Sequence, residues 1–367
     1  MKSQPLKAAM IGLRIHAGSL EPNKNHGLLK SFKAHPNVDV VAYCEWDPAE
    51  GEALAAVGEA DPDARIYTDL DELLTNEEFE LAAIMLPPNE ATSTALQLAN
   101  AGKHLFIEKQ AAQTAAELLP LCELATQRDL TIQAGYPWPS HPVAKAIKQH
   151  IDAGALGRLA AMEARLVTLG IGPGMRDPNH WMYRREGEGG GMLHMEGGHW
   201  LTLFRYFSDA QVKSVTALCS RVIGNIEEGL EDVATVALEL DNGVHACLHV
   251  GYLLPSVGPR NDTFFALRGT QGTATWPAPG SGEYTIASAT PTWAGAPVRS
   301  FNLEIAQRPV YADQWGYEFV AEFVQAVQEK KEPPVSIHDA YHVLQVIDAA
   351  YESSRTGCRT QLNSTYK

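Results

Sequence analysis

From residue 7 to about residue 135, short apolar runs alternate with amphipathic stretches. The runs KAAMIGL, VDVVAYC, ELAAIML, KHLFIE and LTIQAG are apolar on both faces, as strands covered by helices on each side are. Between them lie NHGLLKSFKAH, DPAEGEALAAVG, NEATSTALQLANAG and TAAELLPLCELATQR. The first and third carry apolar residues at helical spacing, and Gly102 stops the third. This alternation predicts right-handed crossovers and a parallel, doubly wound sheet, on which ligands bind beyond the carboxyl ends of the strands.

After residue 157 the rhythm changes. GRLAAMEARLVTL, VKSVTALCSRVI, DVATVALELDNGVHACLHVGYL and DTFFALRGTQGTATW hold β-branched residues in near alternation. LDNGV and GTQGT sit where hairpin turns belong, because Asn-Gly and Gly take positive φ readily. The expected second half is a large, mainly antiparallel open sheet with one exposed face. Two helices near 312–329 and 337–356 close the chain, the last able to pack back on the first domain. The expected fold class is therefore α/β with two domains, residues 1–135 and 136–367, a division that 367 residues also favour.

Composition narrows the partners. The chain has 44 acidic and 29 basic residues, a net charge of −15, which repels nucleic acid and anionic lipid and suits a small, mostly neutral ligand. Five scattered cysteines without CxxC spacing read as free thiols in a reducing compartment. No apolar run approaches the roughly 20 residues that span a bilayer. The stretch MKSQPLKAAMIGL does not read as a signal peptide, so a cytoplasmic protein is expected.

A dinucleotide fold usually shows GxGxxG after its first strand, where backbone N–H groups approach the pyrophosphate. The stretch here is IGLRIHAG: Gly12 is present, but Arg14 and Ala17 stand at the second and third glycine positions. SLEPNKN lengthens the loop before a helix expected near His26. Arg14 either pairs with a phosphate or marks a site that has lost one. The second strand ends in AYCEWDP, where a carboxylate can accept from both adenosine ribose hydroxyls and repel a 2′-phosphate. Glu45, with Asp47 second, thus favours NAD over NADP.

HLFIEKQAA puts Glu108 and Lys109 at the carboxyl end of the fifth strand, above the expected ligand crevice. A lysine there can polarise a substrate hydroxyl or move its proton as hydride leaves the same carbon. The segment GGGMLHMEGGHW, residues 189–200, raises a metal reading through His194, Glu196 and His199. Those histidines are five apart, not four, and no second ligand cluster is visible, so no metal is expected.

AGKHLFIEKQAAQTAAEL resembles the AGKHV-x-x-EKP segment of the glucose–fructose oxidoreductase/inositol dehydrogenase/MocA family, and GGGMLHMEGGHWLTLFRYF resembles its GGG-x-L-x-D-x-G-x-H segment. LPPNEATSTALQLANAGK, HPVAKAIKQHIDAGALGRLAAMEARL and DAYHVLQVIDAAYESSRTG are similar to further segments in the same order. The resemblance implies an N-terminal Rossmann domain and a C-terminal substrate-binding and oligomerisation domain, assembled as a homodimer or homotetramer. It implies NAD(P)-dependent hydride transfer to or from a secondary alcohol or ketone of a sugar, cyclitol or glycoside. Lys109 and His199 become the catalytic pair, and cofactor contacts fall on Gly12, Leu13, Arg14, Ile15, Glu45, Pro87, Asn89, Glu108 and Lys109. Substrate contacts fall on Tyr136, Trp138, His180, Trp181, Met195 and Glu196.

Three departures qualify it. The family's aspartate, four residues before the histidine, is Met195 here, and Glu196 replaces it only if the backbone slips by one residue. Gln110 stands for the proline after Lys109, and the glycine loop is altered. Two alternatives stay open: an NAD-retaining enzyme that cleaves glycosides through transient oxidation and elimination, and a non-catalytic sugar- or nucleotide-binding homologue.

Overall fold

The structure, a computed structural model, describes residues 4–18, 20 and 27–362. Six strands form the first sheet: β1 (Leu6–Ile11), β2 (Val38–Cys44), β3 (Arg65–Tyr67), β4 (Leu81–Ile84), β5 (His104–Ile107) and β6 (Ile132–Ala134). Their order is β3-β2-β1-β4-β5-β6 and every pairing is parallel. The order reverses between β1 and β4, so the loops after these two strands flank the crevice where such sheets bind ligands. Five helices alternate with the strands: α1 (Leu28–Lys33), α2 (Gly51–Ala60), α3 (Leu70–Asn76), α4 (Pro88–Asn100) and α5 (Ala115–Arg128). The apolar runs foretell five of the six strands. β3 escapes them because it is three residues long with no buried side chain. The lengthened loop at 19–25, save residue 20, and His26 lie outside the described residues.

The second sheet has nine strands: β7 (Leu159–Leu169), β8 (Val212–Ser220), β9 (Val233–Leu240), β10 (His245–Leu254), β11 (Asn261–Gly269), β12 (Gly272–Trp276), β13 (Glu283–Ser288), β14 (Val298–Asn302) and β15 (Thr360–Gln361). Its order is β14-β13-β12-β11-β7-β10-β9-β8-β15. All pairings are antiparallel except β10 with β7, which is parallel. β9 alternates buried and exposed positions, as a sheet with one covered face requires. The remaining helices are α6 (Pro142–Asp152), α7 (Arg185–Glu188), α8 (Gly198–Ser208), α9 (Asp313–Glu329) and α10 (Ile337–Thr356).

The chain divides into two compact units that are discontinuous in sequence. Residues 306–341 belong with the first sheet, and residues 141–305 and 342–367 form the second unit with the short stretch 113–115. In the first unit α9 sets Phe319 and Phe323, one helical turn apart, edge-on against Phe106 of β5, both at 5.8 Å. Each such fully buried ring contributes about 1.5–3 kcal/mol, which explains why a segment remote in sequence joins this sheet. In the second unit α8 presents Trp200, Phe204 and Phe207 at helical spacing to Phe265 of β11, at 6.0, 5.4 and 5.3 Å. That packing fixes the helix whose first turn carries His199.

Candidate active site

The loop after β1 starts at Gly12, whose φ of +80° and surroundings admit no side chain: an added Cβ would lie 2.5 Å from Leu86 Cδ2. The following amides are spent internally. Arg14 N and Ile15 N donate to the Met85 carbonyl at 3.3 and 3.1 Å, and Leu13 N donates to Glu45 at 2.9 Å. Glu45 is 2% exposed and also accepts from Asp47 N at 2.8 Å. Arg14 faces three carboxylates: it binds Glu90 through both terminal nitrogens at 2.6 and 2.9 Å, and stands 3.3 Å from Glu45 and 3.6 Å from Asp47. Burial disfavours its charge, but the bond to Glu90 and the nearby carboxylates hold its pKa above the usual arginine value. Arg14 is therefore engaged in assembling an acidic cluster at the end of β2. Pro87 caps α4 on the far side of the switch point, with Asn89 exposed in its first turn.

The end of β5 is equally built. Glu108 is buried and accepts from the Lys109 amide and from His16 Nδ1, the latter at 2.6 Å. His16 in turn lies on the Tyr311 ring at 4.8 Å. Lys109 is buried, and the Lys109–Gln110 peptide is cis. Gln110, at the family's proline position, accepts from Tyr136 Oη, so Tyr136 supports the lysine loop from beneath while only 1% exposed. Trp138 packs on Trp315 at 5.3 Å.

In the second unit the glycine run is held by a carboxylate that no motif announces. Glu231 accepts from Gly191 N at 3.0 Å, Leu193 N at 2.8 Å and Tyr351 Oη at 3.0 Å. Burial pushes its pKa up, opposed by these donors. Gly191 is obligatory, because a Cβ would fall 1.8 Å from the Glu231 carbonyl oxygen. Beside it, His194 Nδ1 meets Glu188 at 2.8 Å and Nε2 meets the Gln113 carbonyl at 3.1 Å. A carbonyl only accepts, so Nε2 carries a hydrogen. His194 is thus committed to shaping the loop.

Leu193–Gly197 forms one π-helical turn that runs into α8. Such a turn is what a helix adopts when it accommodates an extra residue, and it recurs at functional sites. Glu196 lies three residues before His199, with Oε2 3.8 Å from Nε2, while Met195 is buried. A carboxylate therefore stands beside the histidine from the position next to the one where the family keeps its aspartate. His199 is 6% exposed. His180 caps the short turn Trp181–Tyr183 through Nδ1 at 3.4 Å, and its ring lies 5.4 Å from Trp181. Burial lowers the pKa of His180, so it is the neutral ring that accepts from Met182 N.

Residues 6–136 match the oxidoreductase family with an NAD-binding Rossmann fold, and residues 144–275 match the GFO/IDH/MocA C-terminal domain. The chain belongs to the Gfo/Idh/MocA oxidoreductase family. Within it, an uncharacterized oxidoreductase of Schizosaccharomyces pombe is 29% identical over 162 residues, 44% of this chain and 42% of that one. The D-glucoside 3-dehydrogenase of Escherichia coli is 25% identical over 99% of each chain. The chain spans between 36% and 61% of the length of three other curated members, the S. pombe protein included. A levoglucosan dehydrogenase solved with NADH superposes with a TM-score of 0.84 at 19% identity, over 98% of this chain and 100% of that one, which shows the fold.

For this Gfo/Idh/MocA chain, the residues missed by sequence reasoning are His16, Glu90, Glu188, Glu231 and Tyr351. His16 lies within the IGLRIHAG stretch and Glu188 six positions from His194, but the other three act on motif residues from a distance. Glu231 lies 40 positions from Gly191, and Tyr351 lies 120 positions from Glu231. No spacing rule reaches that far.

Proposed function

We propose that the protein is an NAD-dependent oxidoreductase that moves hydride between the nicotinamide and a secondary alcohol or ketone of a sugar-like substrate. The observation that carries the reading is the His199–Glu196 pair, an imidazole at the family's histidine with a carboxylate 3.8 Å away. The D-glucoside 3-dehydrogenase that aligns over nearly the whole chain points to the same substrate class.

The first unit's residues fit the cofactor. Gly12 leaves a side-chain-free strand end, and the Glu45 carboxylate keeps lone pairs for ribose hydroxyls beyond those its two amide donors use. Glu45, Asp47 and Glu90 outnumber the single Arg14 beside them, an environment that opposes a 2′-phosphate and favours NAD over NADP. Gly12, Leu13, Arg14, Ile15, Glu45, Pro87, Asn89, Glu108 and Lys109 would hold the cofactor, with Arg14 acting through the acids it binds. Bound NAD supplies the hydride acceptor. Lys109 would polarise the reacting oxygen and His199 would accept or return its proton, with the Glu196 carboxylate beside it.

The test is a titration with NAD and NADP, followed by NADH-absorbance assays over a panel of sugars, glycosides and cyclitols. The reading predicts preferential NAD binding and net NADH formation with at least one panel member. No binding of either cofactor at millimolar concentration would refute it, and cleavage of a glycoside without net NADH would replace it with the transient-oxidation chemistry.

A further inference from the structure

Arg176 and Tyr252 have polar capacity that the protein leaves unused. Other arginines of the second unit are spent: Arg185 on the Gly229 carbonyl, Arg221 on the Ile226 and Gly224 carbonyls, Arg268 on Glu163, Arg355 on Glu352. Arg176 is half-buried, and its guanidinium makes one long hydrogen bond, to Tyr183 Oη at 3.4 Å. No carboxylate among the described residues forms an ion pair with it. Its charge is nevertheless kept: burial pulls the pKa down, while Tyr183, Tyr252 and Glu196 bring it above the usual arginine value. A guanidinium has five donors in a planar fork, so most of them face no protein acceptor here.

The fork stands 5.2 Å over the ring of Tyr252, which meets Tyr183 edge-on at 5.6 Å. Tyr252 is 1% exposed and its hydroxyl has no hydrogen-bond partner among the described residues. A buried hydroxyl left so is costly unless a ligand satisfies it. Glu196 couples electrostatically to both Arg176 and Tyr252, and the same carboxylate stands 3.8 Å from His199. Fork and phenol therefore share one corner of the unit, with the Glu196 charge acting on both.

We infer that this corner binds a carboxylate carried by the substrate, which makes the substrate a sugar acid or similar hydroxylated acid. The inference rests on the redox reading only for the reaction, since binding is measured without it. Arg176 would take both carboxylate oxygens through its fork and Tyr252 Oη would donate to the substrate, an arrangement that neutralises the cation and satisfies the hydroxyl together. A neutral sugar does only half of this. A phosphate dianion is disfavoured, because one guanidinium balances one charge and Glu196 repels a second. The chain's net charge of −15 opposes an anion at long range, but that field is screened over about 10 Å, and the local cation decides at contact.

The experiment compares pairs that differ only at one carbon: methyl glucuronide, galacturonide and mannuronide against the corresponding methyl pyranosides. Binding is read by calorimetry with NAD present, and initial rates are read in parallel. The wild-type protein should bind at least one uronate about tenfold or more tightly than its neutral partner, as expected for a charge-assisted bond. Arg176→Gln should erase that preference, mainly through KM, and Arg176→Lys should restore part of it. Tyr252→Phe, which removes one hydroxyl and keeps the packed ring, should weaken the uronate several-fold. The inference is overturned if no uronate outbinds its partner, or if Arg176→Gln weakens acid and neutral ligands equally, since the arginine would then only serve Glu196. Arg176-dependent uronate binding without oxidation would uphold this site and sink the redox reading. Oxidation of neutral pyranosides without preference would do the reverse.

Discussion

The two motif-bearing loops meet buried charge in opposite ways. After β1, the loop is organised by opposite charges, with Arg14 among Glu45, Asp47 and Glu90. At the glycine run, Glu231 is surrounded by neutral donors, two amides and a phenol, and burial raises its pKa against the pull of those donors. The second unit also keeps His141 fully buried at the start of α6, where burial drives its pKa down to about 4. Salt and pH should therefore act differently on the two halves. Arginine–carboxylate pairs tolerate moderate pH change because both members stay ionised, whereas His141, satisfied only as the neutral ring, responds to it.

The largest effects probe chemistry in each half. Lys109→Ala and His199→Ala should each lower kcat by roughly 10²–10⁴-fold, as expected for a lost acid–base group, with unchanged thermal unfolding. A near-normal rate in either variant would remove that residue from the mechanism and leave its half with a binding role only.

Next comes pH. His141 Nδ1 accepts from Val143 N at 3.2 Å, so the fold requires the neutral ring. Its folded pKa, about 4, lies below the ordinary 6.5, so its stabilisation is present above pH 6.5 and is lost as pH falls toward 4. The full difference is about 3 kcal/mol. Urea unfolding across that range should show the slope, and His141→Asn, which keeps a capping acceptor without a titrating ring, should flatten it. An unchanged slope would place the acid sensitivity elsewhere.

Glu231→Gln should cost about 1–3 kcal/mol in denaturant unfolding, because an amide nitrogen would meet donors that a carboxylate accepts. It should also lower kcat by displacing the π turn. Glu45→Gln is the matching change in the first unit: there the expected result is NAD binding weakened about tenfold and discrimination against NADP narrowed, as read by titration. If Glu45→Gln alters stability only, the acidic cluster is structural and the contrast between the loops lies in packing alone.

The fold was largely legible. Apolar periodicity located β1, β2, β4, β5 and β6, and the helices expected at 312–329 and 337–356 are α9 and α10. Short exposed β3 and α3 carry too little pattern to read, and the parallel pairing of β10 with β7 cannot be inferred from alternation, which both orientations share. The family segments also singled out Lys109 and His199 as the expected catalytic pair. What remained hidden depends on folding: the engagement of Arg14 by Glu90 needs the first turn of α4 to meet the loop after β1, and the Glu196–His199 contact needs the turn geometry of 193–197. Residue type signalled a charge at each place; only the fold shows what it touches.

The proposed chemistry needs both Lys109 and His199. The direct test is a double-mutant cycle on turnover, with Lys109→Ala, His199→Ala and the two combined, using whichever substrate the NADH assay identifies. Residues acting as a unit give a double variant scarcely slower than the slower single variant. Losses that multiply independently, or a double variant that keeps wild-type turnover, would contradict it.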